Sequence, residues 1–140
     1  MKRFVLVCLA AVAAASTLVV AQPPLPAPPH FEMAPNKLPD KPVQDAVLAM
    51  LAAVEGDDYA NFLRVGTVEL KEGTTRENFG RFVDIAAERL EKGYTVVYYG
   101  DLKNPPYTVH MWKLAFKDGG RDLLGENSIR DGKVTNFYIH

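Results

Sequence analysis

At 140 residues and a formal net charge of −1, the sequence lacks the basic footprint that nucleic-acid binding leaves, and it has no run of like charge long enough for an acidic or basic tail. Its one cysteine, Cys8, excludes an intrachain disulfide.

The N-terminus reads as an export signal over residues 1–21. Lys2 and Arg3 precede the apolar run FVLVCLAAVAAAS, and VVAQ offers Val19 and Ala21 to a signal peptidase. AAA at Ala13 to Ala15 is a second cleavage site, and an uncleaved anchor is the competing reading, since Phe4 to Ala21 approaches the ~18 apolar residues of a spanning helix. Cleavage after Ala21 is favoured because the run is alanine-rich and broken by Ser16 and Thr17. It would take Cys8 with it, leaving no thiol nucleophile, and would remove two of the sixteen basic residues. Fourteen then remain against seventeen acidic ones, a net charge of −3. The expected location is periplasmic or secreted.

Residues 22–39 read as a proline-rich, extended tether. From Gln22 to Pro42 there are eight prolines in twenty-one residues and no apolar periodicity. Proline fixes φ and has no amide donor, so the segment favours a polyproline-like spacer over a core element. Residues 40–140 then form a single domain, large enough for one hydrophobic core.

The first half of that domain carries helical spacing. Asp40 is the expected N-cap of a helix with Pro42 in its first turn, and Val43, Val47, Met50, Leu51 and Val54 form one stripe that Gly56 ends. Asp57 or Asp58 caps a short second helix, YANFLRV. TTRE at Thr74 to Glu77 is read as a capping box opening the clearest helix, with Phe79, Phe82, Val83, Ala86 and Leu90 inward and Arg81, Asp84, Glu88 and Glu91 on a solvated face.

The period then changes. YTVVYYGDL, YTVHMWKLAFK, RDLLGENSIR and KVTNFYIH are strands separated by KNPP, DGG and DG, which is turn chemistry. Helices followed by strands predict an α+β domain, with the helices packed on one face of a four-stranded antiparallel meander. In the second strand, His110, Trp112, Leu114 and Phe116 are the apolar row and should face the helices; Trp112, Leu114 and Phe116 are expected core, together with Phe79 and Phe82. Two-residue turns would bring Leu123, Gly125, Asn127 and Ile129, and then Val134, Asn136 and Tyr138, to the same face. The last strand has a second reading, because Phe137 and Ile139 lie on the opposite parity. KNPP leaves open whether Tyr98 or Tyr99 faces His110.

These segments, with EGDDYANF, GYTVVYYGDLK, YTVHMWKLAFKDGG and DGKVTNFYI over nearly all of residues 40–140, resemble exported members of the nuclear-transport-factor-2-like superfamily. The resemblance implies a cone-like fold, a curved sheet wrapping a long helix around a pocket. That superfamily holds isomerases and dehydratases as well as members that only bind or dimerise. Its isomerases use a tyrosine and carboxylic acids inside the cone, and with the facing of the first strand open no inward-facing aspartate is assigned in this sequence.

The candidate pocket residues are accordingly His110, Asn127, Tyr98 and Tyr138. No metal site is expected: His30 lies in the tether, His140 is terminal, and no pair has zinc-ligand spacing. No phosphate loop, nucleophile elbow or calcium loop occurs, so no cofactor is expected. The favoured reading is an exported binding or accessory module whose partner is a small molecule in the cone or a protein on the sheet. A homodimer through the outer face, built on Val109, Met111 and Val97 or Val96, is one form of it. Nucleic acid is not an expected partner, nor is a membrane once the signal is removed. The alternative is a cofactor-free isomerase or lyase with His110 as base and Tyr98 or Tyr138 as donor; a structural or inhibitory envelope protein is a third reading.

Overall fold

The computed structural model describes residues 31–33 and 38–140. The expected export signal and most of the expected tether lie outside the described residues.

Four helices precede the meander. Helix α1 (Lys41–Glu55) has proline in its first turn and buries Val47, Met50, Leu51 and Val54. Asp40 is its N-cap by position, yet the Asp40 side chain makes no capping bond. Asp58 caps α2 (Tyr59–Arg64) by accepting from the Asn61 amide. Helix α3 (Val68–Gly73), absent from the sequence reading, is one short turn-and-a-half capped by the Thr67 hydroxyl and anchored by buried Leu70. Six residues with a single buried apolar side chain carry too little periodicity to stand out.

Helix α4 (Arg76–Glu91) is the long amphipathic helix expected, but its start differs from a capping box. Thr75, not Thr74, is the N-cap and takes the Asn78 amide, so Glu77 does not sit at the reciprocating position; it pairs instead with Arg81 one turn on. Phe79, Ala86 and Leu90 are buried, and Phe82 packs partly buried between Phe62 and Phe137. Gly93 stops the chain's helical course at a positive φ of 103°, where a side chain would be strained.

The antiparallel meander is β2 (Tyr94–Asn104), β3 (Tyr107–Phe116), β4 (Leu123–Arg130) and β5 (Lys133–Ile139). A fifth strand, β1 (Phe31–Met33), pairs parallel with Tyr94 to Val96 and comes from inside the segment read as a tether. Phe31-Glu32-Met33 is an interruption in the proline series, which leaves its backbone donors free to enter a ladder. The structure is thus α+β, with the helices over one face.

Register settles the facing of each strand. Leu114 pairs with Leu123 and His110 with Asn127, so the expected inner row of β4 holds even though the connection after Phe116 is longer than a two-residue turn. Asp131 and Gly132, at φ 52° and 74°, form the two-residue turn into β5. Two β-bulges then change parity, one at Tyr99 in β2 and one at Thr135 in β5. The core between sheet and helices is built on Trp112, Phe62, Phe79, Met50, Leu51 and Leu90.

Candidate functional site

Along β2, Tyr94, Val96 and Tyr98 face inward, Tyr98 opposite Trp112. The extra residue Tyr99 then shifts the alternation. Gly100, at φ 134°, pairs with outward-facing Met111, and Asp101 comes to lie opposite His110 on the inner face. The bulge therefore places a tyrosine and an aspartate, three positions apart in one strand, beside the same histidine.

These side chains line a cleft of about 710 Å³ between the far ends of β2 and β3 and the head of α1. Leu38, Pro39 and Val43 supply an apolar wall from the segment entering α1, Ile129 closes the β4 side, and Asp40 and Asp101 both line the space. His110 is only 7% exposed. Its Nδ1 lies 3.0 Å from the Tyr98 hydroxyl.

Burial dominates the protonation of both partners. It pushes the His110 pKa down, against the opposing pull of the Asp101 and Asp40 charges. It pushes Tyr98 up to about 12, with the Asp101 charge and the hydrogen bond that the phenol gives to Asp101 adding to the rise. At neutral pH the pair is a neutral imidazole and a protonated phenol. If the phenol donates to Nδ1, the histidine presents Nε2–H as a donor. If the Tyr98 proton goes to Asp101, Nδ1–H donates to the phenol oxygen and Nε2 is left as a base.

Beneath the cleft, the Trp112 indole donates to the Asn127 amide oxygen at 2.7 Å, and the Tyr98 ring packs 4.7 Å from the Trp112 ring. An indole N–H can only donate, which fixes the amide orientation and turns Nδ2 away from it. That Nδ2 has no hydrogen-bond partner among the described residues, in a side chain 1% exposed.

Of the four sequence candidates, then, Tyr98 and His110 meet in the cleft and Asn127 lies below it, tied to Trp112. Tyr138 does not join them. The Thr135 bulge turns Val134 in, then Phe137 and Ile139 in, and sends Asn136 and Tyr138 outward, so the alternative parity for this strand is the one that folds. Tyr138 is 45% exposed and its hydroxyl meets Asn136. Sequence reasoning also missed Asp101 and Asp40. An isolated glycine inside YYGDL was the available signal for the first, because glycine within a strand marks a bulge. For Asp40 a capping role was the simpler expectation.

The outer face carries Val97, Val109, Met111 and Leu124, all half-buried, with Leu102 exposed beside them. Among the described residues, no group of histidine, cysteine, aspartate and glutamate side chains has the arrangement to hold a metal ion, and no helix is long and apolar enough to cross a membrane.

No known family and no curated protein matches the chain. Among solved structures, the crystal structure of TerC co-crystallized with polyporic acid is similar to it at a TM-score of 0.38 and 15% identity, over 71% of this chain and 90% of that one. A likeness so loose carries no argument.

Proposed function

We propose that this chain is an exported small-molecule-binding module of cone-like, nuclear-transport-factor-2-like architecture, with the cleft above Trp112 as its site. The observation that carries the reading is the Tyr98–His110 hydrogen bond at the wall of that cleft, a part-buried polar pair opening into a space that Leu38, Pro39, Val43 and Ile129 wall on its apolar side. The cleft's size falls within the ~300–1,000 Å³ common for small-molecule sites. Helices over one face of a sheet bent by two bulges support the cone-like architecture.

Ligand-observed NMR against a fragment library tests the proposal. Hits that Ile129→Trp displaces, by filling the cleft from the β4 side, are expected. Hits indifferent to both Ile129→Trp and His110→Ala would place binding elsewhere and overturn it.

A specific feature favours a second reading, a cofactor-free isomerase or lyase. Asp101 beside Tyr98 can accept the phenol's hydrogen bond, so that His110 Nδ1–H turns to the phenol oxygen and Nε2 is free to abstract a proton from a bound substrate. Deuterium incorporation next to the carbonyl of a bound ketone, followed by mass spectrometry and lost in His110→Gln, would support it; no exchange above solvent rate argues for binding alone.

Pairing of two copies through the outer face is supported by the Val97, Val109, Met111 and Leu102 row. Light scattering over a dilution series checks this. A monomer throughout, unaffected by Met111→Glu, removes the idea.

A further inference from the structure

We propose that the ligand of this cleft is a small organic cation, an amine or quaternary ammonium group on an apolar body. This rests on the reading of the cleft as a binding site and assigns the chemical class of what enters it.

The charge in the cleft has one sign. Asp40 at the head of α1 and Asp101 in β2 are distant in sequence, yet both line the space, and no lysine or arginine is among the described residues that do. The neighbouring cation, Lys41, does not neutralise Asp40, because its ammonium is held by Asp45 at 2.7 and 2.8 Å. His110 adds no positive charge, since burial keeps it neutral at pH 7.

Asp40 also leaves its ordinary role unfilled. An N-cap aspartate normally accepts from an amide in the first turn, worth ~1 kcal/mol to the helix. Here the Asp40 side chain makes no such bond, and the residue lines the cleft. A side chain that gives up a local stabilising contact and lines the same cleft as a second carboxylate is arranged for a cation from outside.

An anionic ligand finds nothing comparable. The head of a helix attracts anions through free amides, but Pro42 has none, and the amides of Val43 and Gln44 both go to the Asp40 carbonyl at 2.9 and 3.2 Å. What the cleft does offer a cation is two tyrosine rings, Tyr98 and Tyr99, next to the carboxylates. Leu38, Val43 and Ile129 are placed to cover its apolar part.

Three probes of matched shape decide the assignment: phenethylamine, phenethyl alcohol and phenylacetate, each titrated to millimolar concentration into the isotope-labelled full chain while the Gly100, Asp101 and His110 amide resonances are followed. The amine should bind about tenfold more tightly than the alcohol, and phenylacetate weakest. Asp101→Asn and Asp40→Asn, both at exposed positions where folding should survive, should each erase most of the amine's advantage over the alcohol. Equal binding of amine and alcohol, or tighter binding of phenylacetate, overturns the cation assignment and leaves the cleft as a binding site. An amine preference that survives both substitutions overturns it as well. No response to any of the three removes the cation assignment and the binding reading together.

Discussion

The two bulges of the sheet work in opposite senses on one site. In β2 the extra residue is Tyr99, and the strand beyond it changes face so that Asp101 joins Tyr98 and His110. In β5 the extra residue is Thr135, and the same change of face takes Tyr138 away and gives Phe137 and Ile139 to the core. The first bulge ends in glycine at positive φ and borders open space; the second is braced by a hydrogen bond from the Thr135 hydroxyl to the Ser128 carbonyl. One makes a polar cleft and the other completes an apolar core. A bulge has no chemistry of its own, and what it does depends on which residue types follow it.

Strand β3 is the unbulged reference for the inner face, and breaking it should have the largest effect. Trp112→Ala removes a fully buried indole, so ~3–5 kcal/mol of stability should be lost. It also removes the donor to the Asn127 amide oxygen, adding a second unsatisfied polar atom to the buried Nδ2 and so to the penalty. Urea denaturation measures this. A loss below ~1 kcal/mol would mean that Trp112 does not anchor the sheet to the helices.

The β2 bulge is the next most sensitive point. Gly100→Ala meets no neighbouring atom, yet it forces a side chain onto a backbone at φ 134°. A cost of ~1–3 kcal/mol is expected from backbone strain alone. Because the strain is relieved if the bulge slips, Asp101 should also lose its place, and cleft binding should weaken in step with the fall in melting temperature. A stable variant with unchanged binding would show that the bulge is not what holds Asp101 inward.

The same contrast explains what was legible beforehand. Helix α4 and the His110–Phe116 row were readable because their periods run unbroken and their apolar residues end up buried. The inner row of β4 followed from parity alone. Tyr138 was misplaced and Asp101 went unassigned because each lies beyond an inserted residue, and one insertion reverses every side chain after it. Gly100 carried a trace of the first bulge; at the second, nothing in KVTNFYIH prefers Thr135 over its neighbours, and only the demand for Phe137 beside Phe62 and Phe82 selects it. Strand β1 and helix α3 are short, and short segments carry little periodic signal.

His110 sharpens the comparison through pH. Asp101 and Asp40 face it and favour its charged form, while Tyr98 contacts it and its burial opposes that form more strongly, so its folded pKa lies below the ordinary value of 6.5. Between the folded pKa and 6.5 the unfolded chain binds more protons than the native one, so stability falls as pH drops through this window and is flat for this group above it. The slope has a one-proton limit of about 1.4 kcal/mol per pH unit. Thermal melts from neutral to mildly acidic pH, with His110→Gln as reference, should show the decline in the parent and its reduction in the variant. Stability that rises on acidification would mean that the two carboxylates, not burial, govern the ring. In Asp101→Asn the decline should steepen, because one of the charges that opposes burial is gone.

The smallest effect belongs to the far side of the second bulge. Tyr138→Phe removes a hydroxyl that meets only Asn136, at 3.1 Å, on a side chain 45% exposed. Water replaces that contact on both partners, so stability should change by no more than ~0.5 kcal/mol. Binding in the cleft should not change at all, because the Thr135 bulge puts the whole sheet between the phenol and His110. The matched change on the other bulged strand, Tyr98→Phe, removes the partner of His110 Nδ1 and should weaken cleft binding without emptying the core, since the ring against Trp112 is kept. Run side by side in the same titration, the two tyrosines separate the two bulges. Equal losses of binding in both variants would mean that Tyr138 reaches the cleft and that β5 keeps the uninterrupted alternation its sequence suggests.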